Sequence, residues 1–238
     1  KEAGVQFSPD AYVPAVSGYY TSPSGQMLSF PFNSSTPVFH YNKDAFKAAG
    51  MDPESPPKTW PEVALAAAKL KASGHKCPFT TSWISWTQLE SFSAWHNTEF
   101  ATKGPDVAGA PQNTVIGGAS LWVMSGKKAA EYKGVGQFFA HLSKPDVAAL
   151  SHQRTGYLPV TKASFELTDQ SGFYKKNPGT DVSVTQMIRK TTDKSRGVRL
   201  GNFVQIRTII DEELEQVWSG KKAPKDALDS AIGRGNEL

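Results

Sequence analysis

The densest cluster of hydrogen-bonding side chains in this sequence is N-S-S-T at positions 33–36. Its hydroxyl and amide groups could bind a small polar ligand at the mouth of a strand, which we predict over 38–41 because these residues favour extended chain. A short helix is predicted to follow, beginning at Asp44 and ending at Gly50. The same residue types are common in turns that precede a buried strand. The cluster therefore predicts either a binding edge or an ordinary turn.

Two other features could contact an anion. At Gly117 and Gly118, two missing side chains would let backbone amides approach a ligand, although paired glycines also mark a bulge or a tight crossing of chains. Arg207 could make a planar, two-pronged contact with a phosphate. It could equally be a helix-surface arginine that pairs with Asp211, one turn further on. Both readings of each feature remain open on the residues alone.

Few features of the sequence support a catalytic function. The five histidines are scattered, without an H-x-x-x-H pair or a carboxylate at metal-ligand spacing: His40, His75, His96, His141 and His152. No G-x-S-x-G elbow occurs, and the S-G-K-K at 125–128 matches the S-x-x-K pattern by chance. The adjacent acids at 211–213 are typical of an exposed helix face. Cys77 is the single cysteine, so no internal disulfide can form. We expect no catalytic activity, no metal and no cofactor.

The charge pattern favours an anionic partner. The net charge is +4, and much of the excess lies between Arg189 and Arg207. A solvated basic surface would give the same pattern. This run contains Phe203 as its only aromatic residue, so stacking on bases is poorly supported and no nucleic acid is expected. No apolar run reaches the about 18 residues of a membrane span.

The elements around these residues are mainly helices. A capping box at Thr59 and Glu62 predicts a helix that ends before Gly74, and aromatic spacing predicts another from about Thr87. A strand is predicted over 115–124. Further helices are predicted over 127–142, 146–154, 161–167, 182–188 and 203–218 and from Pro224 onward. Isolated strands among many helices indicate the α/β class.

Several motifs resemble one family along nearly the whole chain. They are F-N-S-S-T-P with Y-N-K-D-A-F (32–46), P-P-K-T-W-P-E (56–62), N-T-V-I-G-G-A-S-L-W-V-M (113–124), T-G-Y-L-P-V (155–160) and R-L-G-N-F-V-Q-I-R (199–207). In this order they are similar to the solute-binding proteins of bacterial ABC importers, especially those for sn-glycerol-3-phosphate. The resemblance implies a class II periplasmic-binding-protein fold, helix-rich with a small mixed sheet.

The resemblance also implies ligand contacts at six positions. Ser35 corresponds to a hydroxyl donor, Gly118 to a backbone contact, Tyr157 to a phenol donor and Arg207 to the guanidinium that meets the phosphate. Trp83 and Trp86 correspond to rings that lie against the glycerol portion, although both could simply be core residues. A phosphate needs several charge-assisted or backbone hydrogen bonds, and these residue types can supply them.

The chain departs from the family in length. Intact relatives carry a section before Lys1 and a long helical stretch ahead of the I-G-G-A-S strand, so we expect an incomplete fold with weakened binding. We divide it into a first retained section (1–103), a short connection across a deleted region (104–111) and a second retained section (112–238), with both sections packed as one domain. The N-terminal residues lack the apolar core of a signal peptide, which implies a mature periplasmic form.

The resemblance implies two partners: sn-glycerol-3-phosphate or a glycerophosphodiester as ligand, and an ABC permease for the intact protein. The main alternative is a fragment of a maltose-type sugar-binding protein, since such proteins share the Y-N-K-D motif and the T-W helix. A phosphodiester hydrolase is a further alternative, although the sequence shows neither a base nor a metal site for it. The hydroxyl cluster and Arg207 favour phosphate over sugar.

Overall fold

The computed structural model describes residues 4, 7–22, 24–98, 100, 115–189, 197 and 200–238. The predicted connection at 104–111 and most of the basic run after Arg189 lie outside these residues. Within the described part of the chain, no helix is both long and apolar enough to cross a membrane.

The chain divides into two compact units. The first combines the described residues of Lys1–Pro37 and Ile84–Leu238, and the second is the segment Val38–Trp83. This division differs from the predicted sections at 1–103 and 112–238, because the second unit is formed by a segment in the interior of the first section. No composition shift at Val38 or Trp83 marks these boundaries in the sequence.

Helices dominate the described residues, as predicted. They are α1 (Pro14–Tyr19), α2 (Lys43–Ala48), α3 (Trp60–Ala72), α4 (Phe92–Trp95), α5 (Ala129–Leu142), α6 (Pro145–Thr155), α7 (Lys162–Gln170), α8 (Phe173–Lys176), α9 (Val182–Met187), α10 (Phe203–Trp218) and α11 (Pro224–Asn236). A 3₁₀ turn covers Pro9–Ala11, and a π-helical segment, Ile84–Ser91, runs directly into α4. That segment begins three residues before the predicted start at Thr87.

Local signals set several helix ends. The predicted capping box of α3 is present, because Thr59 accepts a hydrogen bond from the Glu62 N–H while the Glu62 carboxylate accepts one from the Thr59 N–H. At the end of α6, Gly156 adopts φ +77°, the left-handed conformation that glycine tolerates best. These helices therefore begin and end for reasons that lie within a few residues of each terminus.

The described sheet has two antiparallel strands, β1 (Phe30–Ser35) and β2 (Gly117–Leu121), where a mixed sheet was predicted. Ser34 lies opposite Gly118 and Ser35 opposite Gly117. The register shifts between Pro31 and Asn33, and the Asn33 side-chain oxygen accepts a hydrogen bond from the Ala119 N–H at 2.6 Å.

The predicted strand over 38–41 is wrong, because the hydroxyl cluster itself forms β1. Phe30 anchors β1 by stacking on Phe139, with ring centroids 4.3 Å apart, whereas Val38 and Phe39 are exposed and irregular. Tyr41 donates its hydroxyl hydrogen to Pro53 O at 2.8 Å and so belongs to a loop. Packing, and not the intrinsic β propensity of 38–41, determined which residues formed the strand, because β propensity depends strongly on context.

Each unit has its own apolar core. In the second unit Phe46, Ala66 and Leu70 pack together between α2 and α3. The core of the first unit draws on α1, β1, the segment after α6 and α9, with Tyr12, Val13, Ala15, Val16, Tyr20, Phe30, Ile116, Leu158, Val160, Tyr174, Val184 and Met187. β1 is thus fixed by a buried face that leaves the hydroxyl-bearing end at the edge of the core.

Candidate ligand-binding site

Ser35 and Trp86 meet at the first residue of β2. A Cβ atom at Gly117 would lie 2.6 Å from Trp86 Cζ2 and 2.8 Å from Ser35 Oγ, so both side chains touch the space that this glycine leaves open. The indole N–H of Trp86 donates to Val115 O at 3.0 Å, which fixes the ring against the residues just ahead of β2. The structure therefore brings together two predicted ligand residues at one corner of the sheet.

Gly118 has a structural reason to be glycine. Its φ is +117°, and a Cβ atom there would lie 2.2 Å from Asn33 O, far inside any permitted contact. The paired glycines thus mark a tight crossing of β1 and β2, the second of the two readings that the sequence left open. A ligand contact through the Gly118 backbone stays a prediction.

Tyr157 lies on the side of β1 away from β2. The N–H of the next residue, Leu158, donates to Ser34 O at 2.8 Å, so the T-G-Y-L-P turn is joined to the hydroxyl-bearing part of β1. Tyr157 is 40% exposed. The residue therefore lies at the surface on a backbone that is held from two directions, by β1 and by His152.

His152 supports Tyr157 from α6. Its Nδ1 lies 2.5 Å from Tyr157 O and its Nε2 lies 3.0 Å from the Tyr174 hydroxyl. A carbonyl oxygen can only accept, so Nδ1 carries the hydrogen and Nε2 accepts from Tyr174. Burial lowers the pKa of His152, and burial also raises the pKa of Tyr174 to about 12. Both groups therefore stay neutral and keep this arrangement.

A cavity of about 40 Å³ lies beside Tyr157 and β1. It has room for a few water molecules rather than for an organic phosphate. Its lining is Phe30, Pro31, Phe32, Asn33, Leu142, Val147, Ala148, Ser151, Tyr157, Leu158 and Val160. Of the six predicted contacts, Tyr157 lines this cavity, whereas Ser35, Gly118, Trp83, Trp86 and Arg207 are not part of its lining.

Arg207 pairs with a residue that the sequence did not indicate. Its Nε–H donates to Glu90 Oε1 at 2.6 Å and its Nη2–H to Glu90 Oε2 at 2.7 Å. Asp211, the partner in the alternative interpretation, accepts from the Ser85 N–H at 2.9 Å. The hydrogen bonds with Glu90 raise the pKa of Arg207 above its already high ordinary value.

The Arg207 guanidinium is held on two sides. The Glu90 side chain is 0% exposed and that of Arg207 33%, so the pair joins a buried carboxylate to a cation that still reaches solvent. The Phe203 ring centroid lies 4.5 Å from Arg207 Cζ, a cation–π contact within one turn of α10. The guanidinium therefore has a fixed plane and a fixed edge.

The π-helical segment links these features. Trp86, near its start, contacts the corner of the sheet, and Glu90, four residues on, binds Arg207 of α10. Trp83 ends the second unit and is 71% exposed, and its role as a ligand contact stays a prediction. Glu90 was missed because an acid inside an aromatic segment carries no local signal that points to an arginine 117 positions away.

Comparison with known proteins identifies the family. The model of the bacterial extracellular solute-binding protein family matches residues 1–150, well over half of the chain. The chain belongs to this family. Membership in the bacterial extracellular solute-binding protein family confirms the resemblance predicted from the motifs.

Relatives within this family match the whole chain. They are named sn-glycerol-3-phosphate-binding periplasmic protein UgpB, and those of Pectobacterium atrosepticum, Escherichia coli K12 and Salmonella typhimurium are 44%, 44% and 43% identical. Each match covers 100% of this chain and 72–73% of the relative. The matched span is 320 residues against 238 in this chain, a difference of 82. The predicted internal shortening agrees with this difference.

A solved structure gives the same fold. The cyclic alpha-maltosyl-1,6-maltose binding protein from Arthrobacter globiformis superposes with a TM-score of 0.71 at 17% identity, covering 95% of this chain and 76% of that one. At this identity the likeness shows the solute-binding fold alone. It confirms the predicted fold class, an incomplete α/β binding-protein architecture with little sheet.

Proposed function

We propose that this chain binds sn-glycerol-3-phosphate or a glycerophosphodiester as the solute-binding component of an ABC importer, without catalysing a reaction. The observation that carries the proposal is 44% identity along the whole chain to proteins named for binding sn-glycerol-3-phosphate. Those relatives are named as periplasmic, and we place this chain in the same compartment. The permease is the partner that such a component would serve.

The described donors suit an organic phosphate. Arg207 offers a charged, planar group of fixed orientation, and the Ser35 hydroxyl lies beside the Trp86 ring. A ring face can cover the C–H groups of glycerol while nearby hydroxyl and amide groups bind its oxygens. Tyr157 adds a phenol on a backbone held by His152. A sugar would need the hydroxyl and aromatic groups but not the cation.

The affinity should be weak. The chain is 82 residues shorter than the span that it matches in its relatives, and the resemblance implies that the missing sections carry further ligand groups. The loss of two charged hydrogen bonds, at roughly 1.5–3 kcal/mol each, lowers an affinity by roughly 10² to 10⁴. We therefore expect binding that is weaker than micromolar.

A titration followed by ¹H–¹⁵N NMR tests the proposal, because it detects millimolar binding. We expect saturable shifts with sn-glycerol-3-phosphate and glycerophosphocholine, and none with glycerol or maltose. Arg207→Lys should weaken phosphate binding by roughly ten- to a hundredfold, since an ammonium cannot copy the two-pronged contact.

Arg154→Lys, at the exposed end of α6, is the matched control and should leave binding unchanged. Equal shifts with maltose, or the absence of any saturable shift with both phosphates, would contradict the proposed ligand. Release of free choline from glycerophosphocholine would contradict the absence of catalysis. Micromolar binding would contradict only the expected loss of affinity.

A further inference from the structure

Glu90 is a buried carboxylate, and both of its oxygens accept hydrogen bonds from Arg207. Its side chain is 0% exposed, and its two oxygens accept from two N–H groups on one edge of the same guanidinium. Burying a carboxylate is costly unless a cation and well-formed hydrogen bonds offset the loss of water. The residue therefore fixes Arg207 with a geometry that few other side chains could provide.

The fixed edge determines which atoms Arg207 can offer to an anion. A guanidinium has five N–H groups, and Glu90 takes those of Nε and one of Nη2. Phe203 lies against one face at 4.5 Å, and the Tyr19 side chain is a further hydrogen-bonding neighbour. The N–H groups that Glu90 leaves for a ligand or for Tyr19 are the two of Nη1 and the second one of Nη2.

We infer that Glu90 is a positioning residue for phosphate binding, which acts by fixing the plane and the exposed edge of Arg207. The inference rests on the proposed function, because it gives Arg207 the role of the phosphate contact. Glu90 would lower the entropy that Arg207 loses when it binds, since the guanidinium is already held in one orientation.

Simple electrostatics predicts the opposite effect of Glu90 on binding. A carboxylate next to an anion site repels the ligand, so its neutralisation should strengthen the binding of phosphate. If Glu90 instead positions Arg207, its neutralisation should weaken binding. A purely structural role would change the thermal stability and leave the affinity of the folded protein as it was. Neutralising Glu90 would therefore strengthen, weaken or leave unchanged the affinity for phosphate under the electrostatic, the positioning and the structural possibility, respectively.

Glu90→Gln separates them, because glutamine keeps the shape and one acceptor while its amide N–H₂ opposes the Nη2–H of Arg207. We expect the affinity for sn-glycerol-3-phosphate and for inorganic phosphate, measured by NMR titration of the full chain below its melting temperature, to fall about tenfold. Glu213→Gln is the matched control, since Glu213 is another buried carboxylate bound by an arginine, and it should leave the affinity unchanged.

The test is completed by introducing Arg207→Lys both into the wild type and into the Glu90→Gln variant. If Glu90 acts through Arg207, the double variant Glu90→Gln/Arg207→Lys should bind no more weakly than Arg207→Lys alone. Unchanged or tighter binding by Glu90→Gln would overturn the inference, and so would an equal loss in the Arg207→Lys background. If Glu90→Gln does not fold, Glu90→Asp replaces it under the same criteria, because it keeps the charge but draws the guanidinium inward.

Failure of the proposed function would give a different pattern. A wild-type chain that binds no phosphate would overturn the proposed function and, with it, the role assigned to Glu90. A wild-type chain whose binding Glu90→Gln fails to weaken would overturn the role of Glu90 alone.

Discussion

Ser35 and Gly117 lie opposite each other across the two strands, and a Cβ atom at position 117 would come within 2.8 Å of Ser35 Oγ. The same atom would lie 2.6 Å from the Trp86 ring. The absence of a side chain at this position is thus what allows the hydroxyl and the ring to share one corner of the sheet.

Gly117→Ala should destabilise the protein, because its methyl group would push the Trp86 ring or the strand out of place. Overpacking of this kind costs roughly 1–3 kcal/mol. Urea unfolding at neutral pH measures the change. Gly134→Ala is the control, since Gly134 lies inside α5 with nothing within 4 Å of an added Cβ. This control should raise the free energy of unfolding by about 0.4–1 kcal/mol. Equal effects of both substitutions would contradict the packing around Gly117.

The pair formed by Arg207 and Glu90 should respond asymmetrically to substitution. Arg207→Met leaves a fully buried carboxylate without its cation, which should lower the free energy of unfolding by roughly 3–5 kcal/mol. Glu90→Gln should cost less, because Arg207 is 33% exposed and can turn towards water. Chemical denaturation of each variant and of the double variant gives the comparison. A larger loss for Glu90→Gln than for Arg207→Met would show that burial of the carboxylate is not the main cost.

Glu213 should make stability depend on pH in strong acid. Hydrogen bonds from Lys222 first, and then from Ser230 and Arg234, lower the pKa of Glu213 from 4.5 to about 2. The folded state therefore binds this proton less readily than the unfolded state, and the contribution of Glu213 to stability is complete above pH 4.5 and is lost as the pH falls towards 2. Urea unfolding between pH 6 and pH 2 should show a shallower decline for Glu213→Gln than for the wild type. Parallel declines would contradict the network that joins α10 and α11.

His152 should also make the stability depend on pH, in a less acidic range than Glu213 does. Burial lowers its pKa below 6.5 in the folded state, so the unfolded state takes up the proton first. The contribution of His152 to stability is therefore complete above pH 6.5 and falls as the pH drops through its folded pKa. The difference in free energy of unfolding between wild type and His152→Gln should shrink from pH 8 to pH 5. A constant difference across this range would contradict a buried, neutral histidine between Tyr157 and Tyr174.

Local patterns predicted the helices well. Helix α10 begins at Phe203 and ends at Trp218 as its apolar stripe indicated, and the capping box at Thr59 is formed. The short helix α8 was missed because four residues contain too little periodicity to be recognised. Such signals succeed where hydrogen bonds and side-chain contacts are made within one or two turns of the same helix.

The strands and the partner of Arg207 show the opposite case. The sequence predicted a strand at 38–41, yet β1 formed at the hydroxyl cluster. There the Phe30 ring stacks on Phe139, and Ser34 pairs with Gly118 across the two strands. Likewise, residue types identified Arg207 as a cation suited to phosphate, but not that Glu90 would bind it.

The sequence by itself determined the family, most of the helices and the residue types that suit an anionic ligand, since these depend on order along the chain and on contacts between near neighbours. The tertiary structure decided which segment became β1, why positions 117 and 118 must be glycine, and which carboxylate binds Arg207. These outcomes depend on contacts between residues far apart in the chain, whose energies exist only after packing has brought Trp86 to Gly117 and Glu90 to Arg207.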